Sequence, residues 1–394
     1  MRRLSRAATD AAGSTRDKLF TGTFVTAWLI TFTSFGSFYL LLATLPVYIA
    51  QIGCSDADIG LIIGVFSITA VTLRLLVGRA ADDYGKRIFI LVGTTLLAVS
   101  SALYSAARTV PLLLGLRMVL GVGWASFGTA ANALVADIAP RSRRGEAMGY
   151  YGMSTNLAMA VGPAAGVLLM NRFSFPILFA CSAALALVAV LLALRIREPS
   201  PAEGPASPND PKRGVIERSA LFPALVLGLT AVTYGSIVSF LPIYAARQGI
   251  ENPGLFFTAY AAVLLVARGY TGQLSDRYGR RAVIAPGLAL AALALWLLAF
   301  ASSLPAFLLV AVLYGLAFAA TQPAMMALVV DRAAVGRRGA AVGTFSTAMD
   351  LGIGGGSFLW GLVSQAAGYQ NMYLASGSVA MAALAVFLLG TARR

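Results

Sequence analysis

The sequence predicts an all-α integral membrane protein whose twelve transmembrane helices form two pseudo-symmetric six-helix bundles. Of its 394 residues, 58% are hydrophobic and 12% are charged, whereas an average soluble domain has about 25% charged residues. Its apolar stretches reach about 20 residues each, enough for a helix to cross about 30 Å of hydrocarbon. A repeat of about half the chain divides these stretches into two sets of six.

The twelve apolar stretches follow one another along the chain with short polar connections. Because a backbone inside hydrocarbon must satisfy its own hydrogen bonds, each stretch is predicted to be a helix. We expect a cytoplasmic tail over 1–18, a first bundle over 19–197, a Pro-rich cytoplasmic linker over 198–218 and a second bundle over 219–394. The predicted helices lie near 20–49, 58–78, 88–107, 111–136, 146–170, 174–195, 219–246, 253–273, 282–302, 304–330, 339–365 and 371–391.

The net charge of +14 is placed asymmetrically. Most of the 30 Lys and Arg residues lie in the tails, the linker and the connections between helices 2–3, 4–5, 8–9 and 10–11, whereas Arg108, Arg172 and Arg247 lie on the other side. This asymmetry follows the positive-inside rule, so both termini are predicted to be cytoplasmic in a multi-pass protein of a bacterial-type cell inner membrane. The basic charge therefore indicates a lipid bilayer as partner and not a nucleic acid.

The two halves repeat each other at a shift of 194 positions. Because six helices are an even number, both halves enter the membrane from the same side, which makes a parallel repeat. Two such halves suit alternating access to a site between them, and a duplication without a transport role is the alternative. The matching pairs include Arg74 and Arg268, Gly78 and Gly272, Asp82 and Asp276, Gly85 and Gly279, and Asp137 and Asp331.

Several chemistries are excluded by what the sequence lacks. Without histidine there is no Ser-His-Asp triad, Cys–His dyad or His-based zinc site, and Cys54 and Cys181 form no metal pattern. No P-loop occurs, since Gly85-Lys86 is followed by Arg87. We therefore predict no catalytic residues, no metal and no cofactor, and an ion gradient or simple facilitation must drive any transport.

Two connections carry the same pattern of glycine and charge. Residues 78–87 read GRAADDYGKR and residues 272–281 read GQLSDRYGRR. Both resemble the loop signature of the major facilitator superfamily, Gly-x-x-x-Asp-Arg/Lys-x-Gly-Arg/Lys-Arg/Lys, although the first copy has Asp83 where a base is usual. Arg74 and Arg268, one turn earlier, are interpreted as snorkelling to the interface.

The charges of these loops predict two cytoplasmic gates. Arg or Lys after the second glycine can pair with a carboxylate at the end of helix 4 or 10, and solvated loop charge is the alternative. The resemblance, which covers the chain after the tail, implies the major facilitator fold and gates that hold an outward-facing state. The predicted gate residues are Asp82, Lys86, Arg87 and Asp137 in the first half, and Asp276, Arg280, Arg281 and Asp331 in the second.

Helices 4 and 5 resemble motifs of the drug:proton antiporter branch of that superfamily. Arg117 precedes Gly121 by four residues, and the resemblance implies that this arginine tunes proton exchange. An arginine within a span costs about 2.5–3.5 kcal/mol on insertion scales and needs a partner or a wet cavity, so bonding to carbonyls of helix 1 is the alternative. Helix 5 contains Gly162, Pro163 and Gly166, a partial match that also suits a kinked, closely packed helix.

Asp350 is the one acid that falls in the middle of a predicted span. It lies 12 residues after Arg338, or about 18 Å into the membrane at 1.5 Å per residue, and its repeat partner is Asn156. Burial at this depth favours the protonated form of a carboxyl. We therefore predict that Asp350 couples transport to protons, with Arg117 biasing the exchange. A permanently hydrogen-bonded Asp350 and direct contact with a cationic substrate are the alternatives.

The resemblance also implies which helices line a central cavity, namely 1, 4, 7 and 10. Their aromatic, methionine and neutral polar side chains suit amphiphilic or cationic organic ligands, although each one also suits simple packing. The predicted substrate-binding residues are Phe35, Tyr39, Trp124, Asn132, Asn156, Tyr234, Ser239, Tyr314, Gln322, Met325, Met326 and Asp350.

Taken together, these features predict a secondary active transporter, a monomer that exports small amphiphilic or cationic organic compounds in exchange for protons by rocker-switch alternating access. The first alternative is a metabolite importer or facilitator of the same fold, in which Asp350 is structural. The second is an integral membrane enzyme, which is disfavoured because histidine is absent and no paired carboxylates lie in mid-span.

Overall fold

The computed structural model describes residues 20–140, 143–196, 217–334 and 337–392. The predicted tail over 1–18 and nearly all of the predicted linker over 198–218 lie outside these residues. The described ranges consist of helices joined by short turns, and no strand occurs within them. The prediction of an all-α fold is therefore confirmed.

Helix α1 spans Gly22–Leu42 and is continued, after a break of two residues, by the short helical segment Leu45–Gln51. The other helices of the first half are α2 Asp56–Tyr84, α3 Lys86–Leu103, α4 Val110–Ile138, α5 Arg144–Arg172 and α6 Phe175–Ala193. The second half begins with α7 Leu221–Arg247, α8 Gly254–Tyr278, α9 Arg280–Leu298 and α10 Leu304–Arg332.

The final helical stretch, Arg338–Ala392, is interrupted at Gly368, where φ is 79°. A residue with this backbone angle cannot continue an α-helix, so the stretch divides into α11, over 338–367, and α12, over 369–392. The described chain has 11 helical stretches that are long and apolar enough to cross a membrane. Separating the last of them at Gly368 gives the twelve predicted spans.

Local sequence explains where the helices begin and turn. At the start of α2, Ser55 and Asp58 form a capping box, in which the Ser55 hydroxyl accepts from the Asp58 backbone N–H at 3.2 Å. Gly85 joins α2 to α3 and Gly279 joins α8 to α9, with φ of 90° and 87°. Because these angles suit glycine, the two repeated loops make the same tight turn.

The helices pack into two halves that meet along one seam. In the first half α2 and α3 pack on α4, and α1 packs on α5 and α6; in the second, α8 and α9 pack on α10, and α11–α12 pack on α7 and α9. Between the halves, α2 packs on α11 and α5 packs on α8. We call these two cross-half contacts the seam.

The connections alternate between the two ends of the bundle. At one end, the Tyr48 hydroxyl after α1 donates to the carbonyl of Ala107 before α4, at 3.0 Å, and Tyr244 at the end of α7 donates to Ala299 after α9, at 3.1 Å. The α2–α3, α4–α5, α8–α9 and α10–α11 connections, with most of the basic residues, lie at the other end. We call these ends the opposite face and the basic face.

Candidate functional site

An ion pair crosses the seam between two of the membrane-spanning helices, α2 and α11. The Nη1 atom of Arg74 on α2 lies 2.7 Å from Oδ2 of Asp350 on α11. Neither group is sealed from solvent, because the side chains of Arg74 and Asp350 are 37% and 28% exposed. The mid-span acid therefore faces the gap between the halves and its counter-ion comes from the other half.

A second arginine joins this pair through neutral side chains. Arg268 on α8 donates from Nη2 to Oε1 of Gln322 on α10 at 3.1 Å. The Gln322 amide nitrogen then lies 3.8 Å from the sulfur of Met349, the residue before Asp350. We call Arg74, Asp350, Gln322 and Arg268 the seam site.

The interpretation of Arg74 and Arg268 as snorkelling side chains is wrong. Arg74 pairs with Asp350 and Arg268 bonds to Gln322, so both heads point into the protein at membrane depth. The physical reason is that a carboxylate and an amide placed within reach satisfy a guanidinium better than a path to a distant interface does.

Arg117 is buried inside the first half. It is 6% exposed, and its Nε donates to the carbonyl of Ile62 on α2 at 3.2 Å. Its guanidinium also lies 5.1 Å from the centre of the Phe66 ring. The carbonyls that satisfy it therefore belong to α2 and not to α1, and its effect on proton exchange stays a prediction.

Aromatic side chains form one cluster in each half. Phe35 and Phe38 on α1 pack on Trp124 of α4, with ring centres 4.6 Å and 4.5 Å apart. In the second half, Tyr234 on α7 packs on Phe318 of α10 at 5.7 Å and on Tyr260 of α8 at 5.9 Å. Both clusters bring apolar ring surface to the helices that were predicted to line the cavity.

Phe66 also belongs to the first cluster, since its ring centre lies 5.4 Å from that of Phe38 and 5.9 Å from that of Trp124. The sequence did not indicate four members of these clusters, Phe38, Phe66, Tyr260 and Phe318. Phe66 and Tyr260 lie on α2 and α8, helices that the predicted cavity did not include. Phe38 follows Phe35 by three residues and Phe318 follows Tyr314 by four, so helical spacing could have added these two.

Three predicted substrate-binding residues are enclosed by helix packing in this conformation. Ser239, Tyr314 and Met325 are at most 1% exposed, and the Tyr314 hydroxyl lies 3.0 Å from the Thr233 hydroxyl. Aromatic and thioether side chains fill helix interfaces well, which explains this burial. Asn132 is exposed and donates to a carbonyl of its own helix. The other predicted residues are half-buried: Phe35, Tyr39, Trp124, Asn156, Tyr234, Gln322 and Met326. Their contact with substrate stays a prediction.

The helix-5 motif brings α5 against both α1 and α8. A side chain added at Gly162 would meet Cβ of Tyr39 at 2.5 Å, and one at Gly166 would meet Cα of Leu40 at 3.1 Å. The backbone of Pro163 lies against Gly254 of the other half. Small residues thus permit close approach on two sides of one helix.

Five of the predicted gate residues form ion pairs at the basic face, each pair within one half. Lys86 pairs with Asp137, and Arg280 lies 2.6 Å from Asp276 and 3.4 Å from Asp331. The bonds to Asp137 and Asp331 join the start of the third helix of each half to the end of its fourth helix, and the bond to Asp276 joins α9 to the end of α8.

Three other gate residues are placed differently. Arg87 donates to the carbonyl of Leu194 at 2.6 Å, which joins α3 to the residue that follows α6. Arg281 is exposed. The side chain of Asp82 lies outside the described part of the chain. That these contacts hold an outward-facing state stays a prediction.

Another ion pair at the basic face makes a pH-dependent contribution to stability. The Arg337 guanidinium, together with the Ser219 hydroxyl, lowers the pKa of the Glu217 carboxyl. Because the pKa is lower in the folded chain, the pair stabilises the fold above the ordinary glutamate value of 4.5, and this stability is lost as the pH falls through the lowered value.

We expect Glu217→Gln to lower the Tm near neutral pH and to have progressively less effect as the pH falls from 4.5 through the lowered pKa of Glu217. The measurement is thermal unfolding of the native protein and the variant in one detergent across this range. Glu251→Gln, which changes an exposed glutamate, is the matched control. A Tm difference that is the same at every pH would contradict the assignment.

The fold and its seam define a multi-pass integral membrane protein of the transporter class. A family model of the Major Facilitator Superfamily matches residues 27–256 and 252–394, so the chain belongs to this superfamily. The family predicted from the loop motifs is thereby confirmed. The chain is a membrane transporter of a small molecule and not an enzyme.

Known proteins resemble the chain over most of its length. An MFS-type transporter of Methanocaldococcus jannaschii is 26% identical over 361 residues, which cover 88% of this chain and 92% of that protein. A multi-drug resistance efflux pump homolog of Lactococcus lactis is 26% identical over 276 residues, 66% of this chain and 68% of that one. The structure of a bacterial homolog of the lysosomal transporter Spinster aligns with a TM-score of 0.80 and 16% identity, covering 96% and 97%.

Proposed function

We propose that this transporter exports small amphiphilic organic compounds in exchange for protons, by rocker-switch alternating access between its two halves. The observation that carries the proposal is the ion pair of Arg74 and Asp350 across the seam, 2.7 Å long. We place the basic face in the cytoplasm, a placement that the positive-inside distribution of Lys and Arg supports. Both termini are then cytoplasmic.

Loss of a proton from Asp350 would form an ion pair between the halves, and uptake of a proton would break it. When the carboxyl is charged it attracts Arg74 and draws α2 and α11 together; when it takes up a proton the attraction is lost. A carboxyl that is charged in one state and neutral in another can transfer one proton per cycle across the membrane.

The proposed cycle assigns one event to each face. A substrate enters from the basic face, Asp350 releases its proton to that side, and the charged carboxyl then pairs with Arg74 and closes the seam there. After release at the opposite face, a proton from that side neutralises Asp350 and frees Arg74. One proton moves inward for each substrate moved outward.

Two further findings support export of amphiphilic compounds. The aromatic clusters around Trp124 and Tyr234 supply large apolar surfaces that suit organic molecules, cationic ones included. A relative at 26% identity is called a multi-drug resistance efflux pump homolog. A metabolite importer or facilitator is the second candidate, because the Arg74–Asp350 pair also suits a purely structural role.

The decisive experiment measures coupling in proteoliposomes. A fluorescent amphiphile is identified first by resistance and accumulation tests in a sensitised strain. We then expect Asp350→Asn to abolish uphill exchange driven by an imposed pH gradient, because the amide cannot take up a proton, while downhill exchange of the amphiphile continues. Proton movement is recorded in parallel with an internal pH dye.

Asp83→Asn makes the same chemical change at an exposed position of α2 and serves as the control, with native exchange expected. If Asp350→Asn exchanges protons for the amphiphile at the native rate, the coupling role is refuted. If the native protein accumulates the amphiphile from the opposite face, the importer is correct.

A further inference from the structure

The two contacts of the seam repeat each other residue by residue. At the α2–α11 contact, Gly60 packs against the carbonyl of Ser357, and at the α8–α5 contact, Gly254 packs against the carbonyl of Pro163. Both members of the first pair map onto the second at the shift of 194. The internal repeat therefore extends to the way the halves meet.

One turn further along, the same correspondence holds. Gly64 packs on the carbonyl of Gly354, and Thr258 donates its hydroxyl to the carbonyl of Ala160 at 2.6 Å. The shift of 194 again relates Gly64 to Thr258 and Gly354 to Ala160. Two matching steps in succession fix the register of both contacts.

Continuing in this register leads to a place where the symmetry fails. Further along α2 and α11, towards the basic face, Arg74 and Asp350 form the ion pair. Their counterparts on α8 and α5 are Arg268 and Asn156. The second copy thus keeps the guanidinium and has a neutral amide where the first has a carboxylate.

Among the described residues, Arg268 accordingly lacks the carboxylate partner that Arg74 has. The bond that it makes in the seam site goes to the neutral amide of Gln322, and its Nε is buried without a hydrogen-bond partner among the described residues. The seam site therefore holds two guanidiniums and one carboxylate. A guanidinium at membrane depth without a counter-charge is costly unless a ligand supplies one.

We propose that Arg268 binds an acidic group of the transported molecule, most simply a carboxylate, on the side of the seam where Asn156 replaces the acid. This inference rests on the proposed function, since it names the substrate class of the same seam site: amphiphilic organic anions. The bound anion completes the second copy of the ion pair and makes the seam site neutral.

The surroundings of Arg268 fit such a ligand. The guanidinium forms a planar fork that bonds carboxylates through two parallel N–H groups, and its free Nε–H supplies one of them. Tyr39 of the first half lies within electrostatic range of the Arg268 guanidinium. Tyr39 also packs near Phe35, with ring centres 5.9 Å apart, so an apolar body can extend from the acidic group towards the first aromatic cluster.

The inference is tested by binding two probes that differ in one charge. Dansyl-phenylalanine carries a carboxylate, and dansyl-phenylalaninamide is its neutral analogue of the same size. Fluorescence titration of the native protein in nanodiscs, with no ion gradient, gives both Kd values. We expect the carboxylate probe to bind at least about tenfold more tightly, as for a hydrogen bond to a charged group.

Asn156→Asp places an internal carboxylate in the second copy of the pair. We expect this variant to lose the preference for the carboxylate probe, with the amide probe bound as before. Arg268→Gln is expected to lose the preference as well, and Arg268→Lys to keep part of it. Asn371→Asp, which adds the same charge at an exposed position of α12, is the matched control with native Kd values.

Equal binding of the two probes to the native protein would overturn the inference. So would a preference that persists in folded Asn156→Asp or Arg268→Gln, with folding checked by thermal unfolding. Binding is measured without a gradient, so failure of the anion site can be told apart from failure of proton coupling. If Asp350→Asn loses uphill exchange as expected, but the native protein binds both probes equally, the anion site alone is refuted.

Discussion

Replacing Arg74 with glutamate should abolish uphill export and shift the protein away from the conformation described here. The substitution exchanges the partner of Asp350, 2.7 Å away, for a second carboxylate. Because both side chains are partly exposed, solvent screens the repulsion to about 1–2 kcal/mol. That corresponds to roughly a fivefold to thirtyfold change in the ratio of two conformations.

The shift can be measured at the basic face with one label on each half. Tyr84 at the end of α2 and Tyr278 at the end of α8 are exposed and are matched by the repeat. Spin labels at cysteines introduced there, in a background with Cys54 and Cys181 changed to serine, report the distance between the halves. We expect R74E to lengthen this distance.

The reversed pair supplies the control for this experiment. In R74E/D350R the opposite charges face each other again, so the label distances are expected to return towards the native distribution. R108E makes the same charge change at the opposite face, where Arg108 is exposed, and should leave the distances unchanged. Unaltered distances in R74E, or a double variant no closer to native than R74E, would show that the ion pair does not hold the seam.

The sequence was enough to place the helices and to single out Asp350 as the acid in mid-span. Both inferences depend on signals that lie within a single segment of the chain. Apolar length gives the spans, and a lone acid 12 residues past Arg338 is conspicuous without any knowledge of packing. The ends of the helices and the break at Gly368 lie within a few residues of the positions that hydropathy predicted. These features are local, and no contact between distant segments is needed to find them.

The partner of Asp350 could not be found in this way. Arg74 lies near the basic end of α2, which favoured snorkelling, and its contact with α11 depends on how two halves dock. The repeat nevertheless contained a usable signal. Arg74 and Arg268 match each other, as do Asp350 and Asn156, and an intramembrane acid requires a partner.

The carbonyls around Arg117 illustrate the same limit. The sequence indicates that this arginine needs acceptors, and the alternative to a role in proton exchange assigned these acceptors to carbonyls of helix 1. In the structure α2 packs closely on α4, so Ile62 and Ile63 supply the carbonyls. Which helices become neighbours depends on how the helices pack against one another. The residue pattern within one helix does not determine this.

Adding a single methyl group at the opposite face should arrest the transporter with that face open. Gly254 of α8 approaches α5 so closely that a Cβ there would lie 2.5 Å from the carbonyl carbon of Pro163 and 2.6 Å from Cα of Ala164. Gly60 on α2 meets the carbonyl of Ser357 in the same way. Backbone atoms cannot rotate away, so the halves must separate, at a cost of about 1–3 kcal/mol per site.

We therefore expect Gly254→Ala and Gly60→Ala each to reduce export about tenfold or more, because the cycle cannot return through a closed opposite face. The native thiol of Cys54 reports on this face. Burial, reinforced by the Asp58 carboxylate, raises its pKa, so native Cys54 reacts slowly with an impermeant maleimide near neutral pH. We expect opening of the face to expose this thiol further, so that labelling in a Cys181→Ser background accelerates.

Gly269→Ala separates this effect from any general consequence of losing a glycine. It lies on α8, the helix that contains Gly254, and a Cβ there meets no atom within 4 Å. Alanine also favours a helix over glycine by about 1 kcal/mol, so lost export in Gly254→Ala cannot come from a weakened helix. If all three variants export alike and label Cys54 at the native rate, the halves do not need this contact, and a rocking motion that closes the opposite face along α5–α8 is refuted.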